Sequence, residues 1–292
     1  MTWTRLIRFV AAETARVHIG EPVDASLDVG LAAHKGATIR AREIVGSALD
    51  PAAEVSNRVL TVKTLLTPLS REQVKLVRCL GLNYKDHAVS RAHQFPVLFY
   101  KPVTSLIGPN APVIIPTAAC PPKDNLSDYE VELVIVIGKT CKDVKAADAL
   151  DYVLAYSGAN DVSFRKHQLA VSQWGFSKSF DNTNPFGPCL VSAKAISDPQ
   201  NVPLKTVLNG ETVQDGNTRD QIFGVRETIV HLSQGTTLEA GTIILTGTPK
   251  GVGFVKTPPV YLKHGDKMSV WVGGGIGSLY NDVVEEPAQA KL

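Results

Sequence analysis

The sequence predicts an α+β fold built mainly of β-strands. From Val74 onward, short apolar segments rich in β-branched residues alternate with glycine and proline, a pattern typical of strands separated by tight turns. Only two segments of this region carry apolar residues at the three- and four-residue spacing of a helix. Many short strands with few helices favour mixed or antiparallel sheets over a doubly wound parallel sheet.

The first 70 residues are predicted to form a small N-terminal domain, followed by a larger domain over residues 71–292. Two short strands joined by a polar turn are expected at 4–10 and 16–19. The stretch 31–46 is a weak helical candidate. A change in composition after Pro68 sets the boundary between the two domains.

The larger domain contains eight segments that are predicted to be strands. They lie at 74–83, 97–102, 111–116, 131–139, 187–192, 205–210, 242–247 and 267–273. Helices are predicted at 146–156 and 225–234. The glycine cluster at 273–277 is expected to form a tight β-turn rather than a phosphate-binding loop, because no helical pattern follows it.

Composition and charge exclude several classes of protein. The 292 residues are 44% hydrophobic, and 30 basic against 28 acidic residues give a net charge of +2. The basic residues form no long run, so nothing indicates a nucleic-acid surface. No apolar run approaches the roughly 18–20 residues of a membrane span, and the N-terminus does not resemble a secretory signal. Four widely spaced cysteines argue against a zinc site and favour a reducing, cytoplasmic location.

The most informative segment is DYEVELVIVIGK at 128–139, where two glutamates lead into a buried strand. Side chains alternate along a strand, so Glu130 and Glu132 lie on one face, roughly 6.5–7 Å apart along the chain. Two buried carboxylates need compensation, and a divalent cation such as Mg²⁺ or Mn²⁺ supplies it through hard oxygen ligands. The alternative is that both glutamates are exposed and paired with Lys or Arg. Asp161 is a third candidate ligand, although an Asn-Asp pair is more often a turn or helix cap.

Three further segments carry candidate residues. His87 follows a probable strand in GLNYKDH, and a histidine in such a loop could act as a base near neutral pH. Lys178 lies among small polar residues, where it could stabilise an oxyanion or could simply be solvated. The turn in ILTGTPKGVG (244–253) offers backbone N–H groups and hydroxyls to an anion, or is an ordinary tight turn.

Taken together, these segments resemble the fumarylacetoacetate hydrolase family over about residues 74–287. The matching motifs occur in the family's order: GLNYKDH, VLFYKP, DYEVELVIVIGK, NDVS, KSFD, NPFGP, VLNGE, VQDGNT, IFGV and ILTGTPKGVG. Each motif alone is weak, but this many in series is specific. The first 70 residues resemble, less distinctively, the small N-terminal domain of many members.

The resemblance implies a mixed β-roll or β-sandwich catalytic domain, a homodimer, and a bound Mg²⁺ or Mn²⁺. The family's metal ligands correspond to Glu130, Glu132 and Asp161. Its catalytic histidine and lysine correspond to His87 and Lys178. Its substrate contacts correspond to Arg165, Gln168 and Thr248, with Lys101 at a similar pocket-lining position.

Three positions depart from the family's pattern. Ser90 stands where a glutamate commonly orients the catalytic histidine, so the dyad that activates water is weakened. His93 could approach His87 only if this segment is a loop. Lys166 replaces a usual aspartate and Asn182 a usual threonine, which affects the expected substrate contacts more than the metal. The stretch from residue 87 to 99 is also shorter than usual.

The expected function is metal-dependent cleavage of a C–C bond, by hydrolysis or decarboxylation, in a small 2-oxo acid or 1,3-dicarbonyl compound. The second expectation is keto–enol tautomerisation of an oxaloacetate-type substrate, because Ser90 weakens water activation. A relative that binds metal but has lost catalysis is the alternative from another class. No nucleic-acid or membrane partner is expected.

Overall fold

The structure is a computed structural model that describes residues 3–85, 94–121, 124 and 126–287. His87, Ser90 and His93 lie outside the described residues, so their roles stay predictions. Among the described residues, no helix combines the length and the apolar character needed to cross a membrane.

The described chain is dominated by strands. In chain order they are β1 (Arg5–Ala11), β2 (Val17–Pro22), β3 (Arg40–Val45), β4 (Glu54–Leu66), β5 (Val77–Gly81), β6 (Val97–Lys101), β7 (Leu106–Ile107), β8 (Val113–Ile115), β9 (Ser127–Asp128), β10 (Val131–Ile137), β11 (Val153–Asn160), β12 (Ser163–Phe164), β13 (Asn184–Ser192), β14 (Pro203–Leu208), β15 (Glu211–Asn217), β16 (Ile243–Leu245), β17 (Lys267–Val272) and β18 (Gly277–Glu285).

Helices are short and few in this part of the chain. The α-helices are α1 (Val29–His34), α2 (Arg165–Ala170) and α3 (Val225–Ser233). Single turns or short stretches of 3₁₀-helix lie at Val103–Ser105, Thr117–Ala119, Ala146–Tyr152, Thr218–Asp220 and Gly253–Val255.

Two large sheets form the body of the described molecule. The first has the strand order β2-β3-β4-β1-β13-β11-β10-β16-β5-β6, with β7 paired to β13. The second has the order β15-β14-β17-β18-β8. Strands β10, β11 and β13 pack against β14, β17 and β18, and the core between them includes Leu133, Ile135, Val270, Val272 and Leu279. The expected α+β, mainly β fold with stacked mixed sheets is therefore confirmed.

The N-terminal residues extend the first sheet instead of forming a layer of their own. Strand β1 pairs with β13 through Arg5 and Leu6. Asp28 caps α1 and also accepts hydrogen bonds from the backbone N and the hydroxyl of Ser278 on β18, at 3.0 and 2.7 Å. The proposed boundary near residue 70 stays a prediction.

Two predicted helices are wrong in part. Within 31–46, α1 ends at His34 because Gly36 adopts a left-handed φ of 68° that terminates the helix. Residues 40–45 form β3. Within 146–156, only the first seven residues are helical, in the 3₁₀ form, and Val153 starts β11. That strand is buried along its whole length between β10 and β13, so sheet pairing outweighs the local helical spacing.

Two further predictions of secondary structure are confirmed. The predicted helix at 225–234 is confirmed as α3, and the glycine cluster at 273–277 is confirmed as the turn joining β17 to β18. Helix α2 was not predicted. It is only six residues long, too short for its apolar spacing to stand out.

Candidate active site

The site is built on β10, whose seven residues are all buried. The strand lies between β11 and β16, so both of its edges are hydrogen-bonded, and the burial of successive residues shows that both of its faces are covered. Glu132 belongs to this strand and Glu130 precedes it by one residue. Both are buried, with 1% and 8% of their surfaces exposed. The alternative in which both glutamates are exposed and paired with Lys or Arg is therefore wrong about exposure, although Glu130 is paired with Arg165 and Lys178.

Asp161 reaches the two glutamates because of the register between β10 and β11. Val131 pairs with Asn160, which places the next residue, Asp161, beside Glu130. The Asp161 amide donates to the Glu130 carbonyl at 2.9 Å, and the Glu130 amide donates to the Asn160 side chain at 2.9 Å. One oxygen from each of the three carboxylates lies within 4.8 Å of the others. This group could hold a divalent cation.

Lys178 lies at the centre of the carboxylate group. Its ammonium donates to Glu130 Oε2 at 2.9 Å, to Asp161 Oδ2 at 2.5 Å and to the Ser163 hydroxyl at 2.7 Å. Only 2% of the residue is exposed, so the interpretation of Lys178 as a solvated side chain is wrong. Its position four residues after Trp174 is held by a backbone bond from Lys178 N to the Trp174 carbonyl.

Lys101, at the end of β6, approaches the same aspartate from the other side. Its ammonium donates to Asp161 Oδ1 at 2.8 Å and to the Val162 carbonyl at 3.5 Å. The side chain is buried and does not line the cavity described below. Lys101 is thus a partner of Asp161 in this structure, and its direct contact with substrate stays a prediction.

Arg165 connects Glu130 to a fourth carboxylate, Asp128. The guanidinium donates to Glu130 Oε1 at 2.5 Å and, through Nε and Nη2, to Asp128 Oδ2 at 3.0 and 2.9 Å. Its Nη1 donates to Gln168 Oε1, one turn further along α2, at 2.9 Å. Asp128 also accepts the backbone N–H groups of Gly253 and Phe254. Asp128 therefore ties α2 to the loop that follows β16.

The charges of this cluster fit a bound cation. Four buried carboxyl groups, those of Asp128, Glu130, Glu132 and Asp161, meet three buried cations among the described residues. One negative charge is left in excess when all are ionised, and Glu132 is not ion-paired with Lys or Arg in the described structure. A proton on Glu132 neutralises this excess, whereas a divalent cation would leave one net positive charge for an anionic ligand to balance. The all-oxygen donor set suits Mg²⁺ or Mn²⁺.

The pKa shifts follow from this arrangement. Burial, together with the negative charges of Asp161 and Glu130, raises the pKa of Glu132 well above its ordinary value. Burial also opposes ionisation of Glu130, but the charges of Arg165 and Lys178 outweigh it and hold the pKa of Glu130 far below its usual range. For Lys178, burial favours the neutral amine, but the negative charges of Asp161 and Glu130 outweigh burial and raise the pKa of the ammonium. Lys178 is therefore an ammonium ion near neutral pH.

The loop after β16 supplies the next part of the site. The Gly247 amide donates to Glu132 Oε2 at 2.6 Å, so one backbone N–H of the predicted anion-binding turn is engaged by a glutamate. The Thr248 hydroxyl accepts a bond from Gln214 Nε2 at 2.8 Å. Gln214 Oε1 in turn accepts from the Val131 amide and the Thr206 hydroxyl. Gln214 thus fixes Thr248 relative to β10.

A cavity of about 330 Å³ opens onto the carboxylates. Polar side chains on its floor come from Glu130, Glu132, Arg165, Gln168, Lys178 and Thr248. Apolar and glycine residues complete its wall: Leu80, Gly81, Leu82, Phe99, Leu169, Trp174, Val252, Phe254 and Val255. The volume lies within the range of about 300–1,000 Å³ typical of small-molecule sites.

The structure brings most of the predicted site residues together. Among the predicted metal ligands and substrate contacts, all except Lys101 and Asp161 line the cavity, and Asp161 is bonded to both Lys178 and Lys101. His87 lies outside the described residues. Lys166 is exposed and does not line the cavity, and Asn182 adopts a left-handed φ of 59° in a turn away from it. Neither substitution alters the described wall of the cavity.

Sequence reasoning missed Asp128 and the aromatic residues of the wall. Asp128 precedes Glu130 by two residues, so the D-x-E-x-E spacing in DYEVE was a usable signal for a third same-face carboxylate. Phe99, Trp174 and Phe254 come from three segments far apart in the chain, and no local pattern distinguishes them from core residues.

Comparison with known proteins gives a consistent result. Residues 76–284 match the family described as fumarylacetoacetate (FAA) hydrolase C-terminal. The chain is 58% identical over 294 residues to a caffeoylpyruvate hydrolase of Neonothopanus nambi. This similarity covers 98% of this chain and 94% of that protein. It is 40% identical over 225 residues to the mitochondrial oxaloacetate tautomerase Fahd2a of Rattus norvegicus, covering 76% of this chain and 69% of that protein.

The fold comparison agrees. The crystal structure of a 2-hydroxyhepta-2,4-diene-1,7-dioate isomerase from Mycobacterium marinum is similar with a TM-score of 0.79 and 34% sequence identity. The similarity covers 97% of this chain and 99% of that one.

Proposed function

Because this chain belongs to the fumarylacetoacetate hydrolase family and is an enzyme acting on carbon–carbon bonds, we propose that it hydrolyses an acylpyruvate, a 2,4-dioxo acid, into a carboxylic acid and pyruvate. The observation that carries the proposal is the buried group of Glu130, Glu132 and Lys178 at the floor of the cavity, with Asp161 bonded to Lys178 and within reach of the same cation. The similarity of the chain to a caffeoylpyruvate hydrolase, over nearly the whole length of both proteins, supports acylpyruvates as the substrate class.

The proposed reaction breaks the bond between the acyl carbonyl carbon and the adjacent methylene carbon. The hydroxyl group of one water molecule is added to the acyl carbon, and the electron pair of the broken bond passes to the pyruvate part as its enolate. A proton then joins the methylene carbon, so that the products are the free acid and pyruvate. The enzyme must therefore stabilise negative charge on the 2-oxo group and position one water molecule.

We propose that Glu130, Glu132 and Asp161 hold a divalent cation, Mg²⁺ or Mn²⁺. When bound, such a cation supplies Lewis-acid stabilisation to the oxygens of a 2-oxo acid. Lys178 would stabilise negative charge on the substrate, because its ammonium lies on the cavity floor and keeps its proton near neutral pH.

Arg165, Gln168 and Thr248 are proposed to orient the substrate. All three line the cavity, and each is held by a second residue: Arg165 by Asp128, Gln168 by Arg165, and Thr248 by Gln214. Side chains fixed in this way lose little freedom when they bind a ligand. His87 is proposed as the base for water, with Ser90 as a weaker orienting group than the family's glutamate.

Oxaloacetate tautomerisation is the second candidate. Two observations favour it: Ser90 replaces the dyad glutamate, and relatives about 40% identical are named oxaloacetate tautomerases. The reaction needs proton transfer at the same carbon but no activated water. It therefore requires the carboxylate group and Lys178 equally, and only the products distinguish the two activities.

The test is an assay of the purified protein with added Mg²⁺ on acetylpyruvate and on oxaloacetate. Pyruvate, acetate, CO₂ and the absorbance of the enol are followed together. We expect equimolar pyruvate and acetate from acetylpyruvate, at a rate that disappears with a chelator. Accelerated loss of the enol of oxaloacetate without any C–C cleavage would favour the tautomerase, and metal binding without turnover of either compound would indicate a relative that has lost catalysis.

Metal binding is expected to release about one proton and to strengthen as pH rises. The raised pKa of Glu132 keeps that carboxyl protonated in the metal-free protein at pH values where an ordinary glutamate is ionised. Because a cation binds the carboxylate, the proton must leave. Titration calorimetry with Mg²⁺ in buffers of different ionisation enthalpy checks this. An affinity independent of pH between about 5 and 8, with no dependence on the buffer, would contradict it.

A homodimer and a cytoplasmic location, both expected from the sequence, remain proposals of the same kind. The four cysteines are free thiols in the structure, and three of them are buried.

A further inference from the structure

The cavity has two chemically different halves. The polar floor described above is buried, with exposures of 8% or less for Glu130, Glu132, Arg165, Gln168 and Lys178. Towards the outside, the wall becomes apolar and partly exposed. Leu82, Leu169, Phe254 and Val255 all line the cavity and are 36–63% exposed, which is unusual for large apolar side chains so close together.

Two aromatic side chains in contact, those of Phe99 and Trp174, connect the two halves. The Lys178 ammonium lies 4.8 Å from the centroid of the Phe99 ring. Phe99 meets Trp174 edge-to-face, with ring centroids 5.6 Å apart at 65°. This pair therefore starts at the carboxylate cluster and ends at the indole of Trp174, which is half-buried on the cavity wall.

Gly81 makes room for the indole. A Cβ atom at this position would lie 2.1 Å from Cζ3 and 2.8 Å from Cη2 of Trp174, so any side chain there would push the ring out of its place. The carbonyl of Trp174 also accepts bonds from the Ser177 hydroxyl and the Lys178 amide. The position of the indole is thus coupled to that of the lysine on the floor.

Among the described residues, the apolar half offers no group that could pair with a second negative charge. The cations among the described lining residues are Arg165 and Lys178, and both lie on the buried polar floor. A carboxylate on the far end of a substrate would lose its water without gaining a partner there. A flat apolar ring would instead replace water against Phe99, Trp174 and Phe254.

We infer that this apolar wall is a subsite for an uncharged aromatic acyl group, and that Trp174 is the residue that selects for it. The inference rests on the proposed acylpyruvate cleavage and specifies its substrate class. The 2-oxo acid end of the substrate occupies the polar floor, and the aryl ring lies along the wall towards the opening. An acylpyruvate with a small acyl group leaves the apolar wall exposed to water and therefore binds less tightly. An acylpyruvate with an acidic acyl group binds less tightly because its carboxylate loses hydrating water at the wall.

The experiment compares kcat/KM for acetylpyruvate, benzoylpyruvate and 4-carboxybenzoylpyruvate with Mg²⁺ present. We expect benzoylpyruvate to exceed each of the other two by about tenfold or more. In Trp174→Ala, and in Gly81→Ala, where the added methyl displaces the indole, the ratio of benzoylpyruvate to acetylpyruvate falls by about tenfold. Trp174→Phe retains most of the ratio because an aromatic face remains.

Phe176→Ala is the matched control. Phe176 is an exposed aromatic residue two positions after Trp174, it does not line the cavity, and its removal should leave the ratio unchanged. Thermal unfolding of each variant shows that the fold persists. Equal kcat/KM for acetylpyruvate and benzoylpyruvate in the unaltered protein, or an equal fall of the ratio in Phe176→Ala, would overturn the subsite while leaving acylpyruvate cleavage in place. Cleavage of none of the three compounds would refute the proposed function and the subsite with it.

Discussion

Glu132→Gln is expected to lower kcat/KM for C–C cleavage by more than about 100-fold. An amide keeps the shape of the side chain and can still accept the Gly247 amide, but it cannot supply an anionic oxygen to a cation. Loss of groups that only orient metal ligands already costs about 10–100-fold in affinity or activity, so loss of a ligand itself should cost more. The measurement is steady-state kinetics on the substrate that the unaltered protein cleaves, together with calorimetric titration of Mg²⁺.

Asp215→Asn is the control for this change. It makes the same replacement of a carboxylate by an amide on β15, where the side chain is 61% exposed and its Lys205 partner lies 3.4 Å away. Surface pairs of this kind contribute about 0–1 kcal/mol, so neither metal binding nor turnover should change. Unchanged Mg²⁺ affinity in Glu132→Gln would remove Glu132 from the proposed set of ligands.

Lys178→Met is expected to reduce the free energy of unfolding of the metal-free protein by about 3–5 kcal/mol near neutral pH. The variant removes a cation that bonds both Glu130 and Asp161. Among the described residues, it leaves four buried carboxyl groups with two buried cations, Lys101 and Arg165. Methionine fills a similar volume, so the loss arises from charge rather than from a cavity. Denaturant unfolding with and without Mg²⁺ measures the effect, and Mg²⁺ should stabilise the variant more than it stabilises the unaltered protein.

The same replacement at Lys267 separates burial from residue type. Lys267 pairs with Asp282 at 2.5 Å, but the side chain of Lys267 is 68% exposed. We expect Lys267→Met to change the free energy of unfolding by no more than about 1 kcal/mol. Similar losses in the two variants, or a loss in Lys178→Met that grows when the carboxylates are protonated at low pH, would contradict the account of Lys178 as their counterion.

Several parts of the site follow from local rules of sequence. The apolar run 131–137 predicts a strand buried on both faces, and a period of two places Glu130 and Glu132 on the same side of it. A pair of buried carboxylates then needs compensation, for which a divalent cation and a Lys or Arg partner are both candidates. All of these residues lie within ten positions of one another, so local sequence patterns are sufficient to predict their arrangement. The series of family motifs extended the prediction to Asp161, Lys178 and the cavity contacts.

Other parts depend on how distant strands pair. Asp161 meets Glu130 because Val131 is in register with Asn160, and a shift of one residue would turn Asp161 away. The strand at Val153 replaced a predicted helix for a related reason, since burial between β10 and β13 overrides the local spacing. Pairing of this kind is non-local, so its register is set by the packing of whole faces rather than by neighbouring residues.

Sequence patterns together with the family motifs predict a mainly β enzyme in which Glu130, Glu132 and Asp161 could hold a divalent cation. The folded structure shows which cations neutralise that group, how Asp128 holds Arg165, and which apolar side chains line the cavity. Phe99, Trp174 and Phe254 lie on segments separated by tens of residues. They line the same cavity because the fold brings these segments together. Side chains from separate segments follow no periodic pattern in the sequence, so the sequence does not predict that they meet.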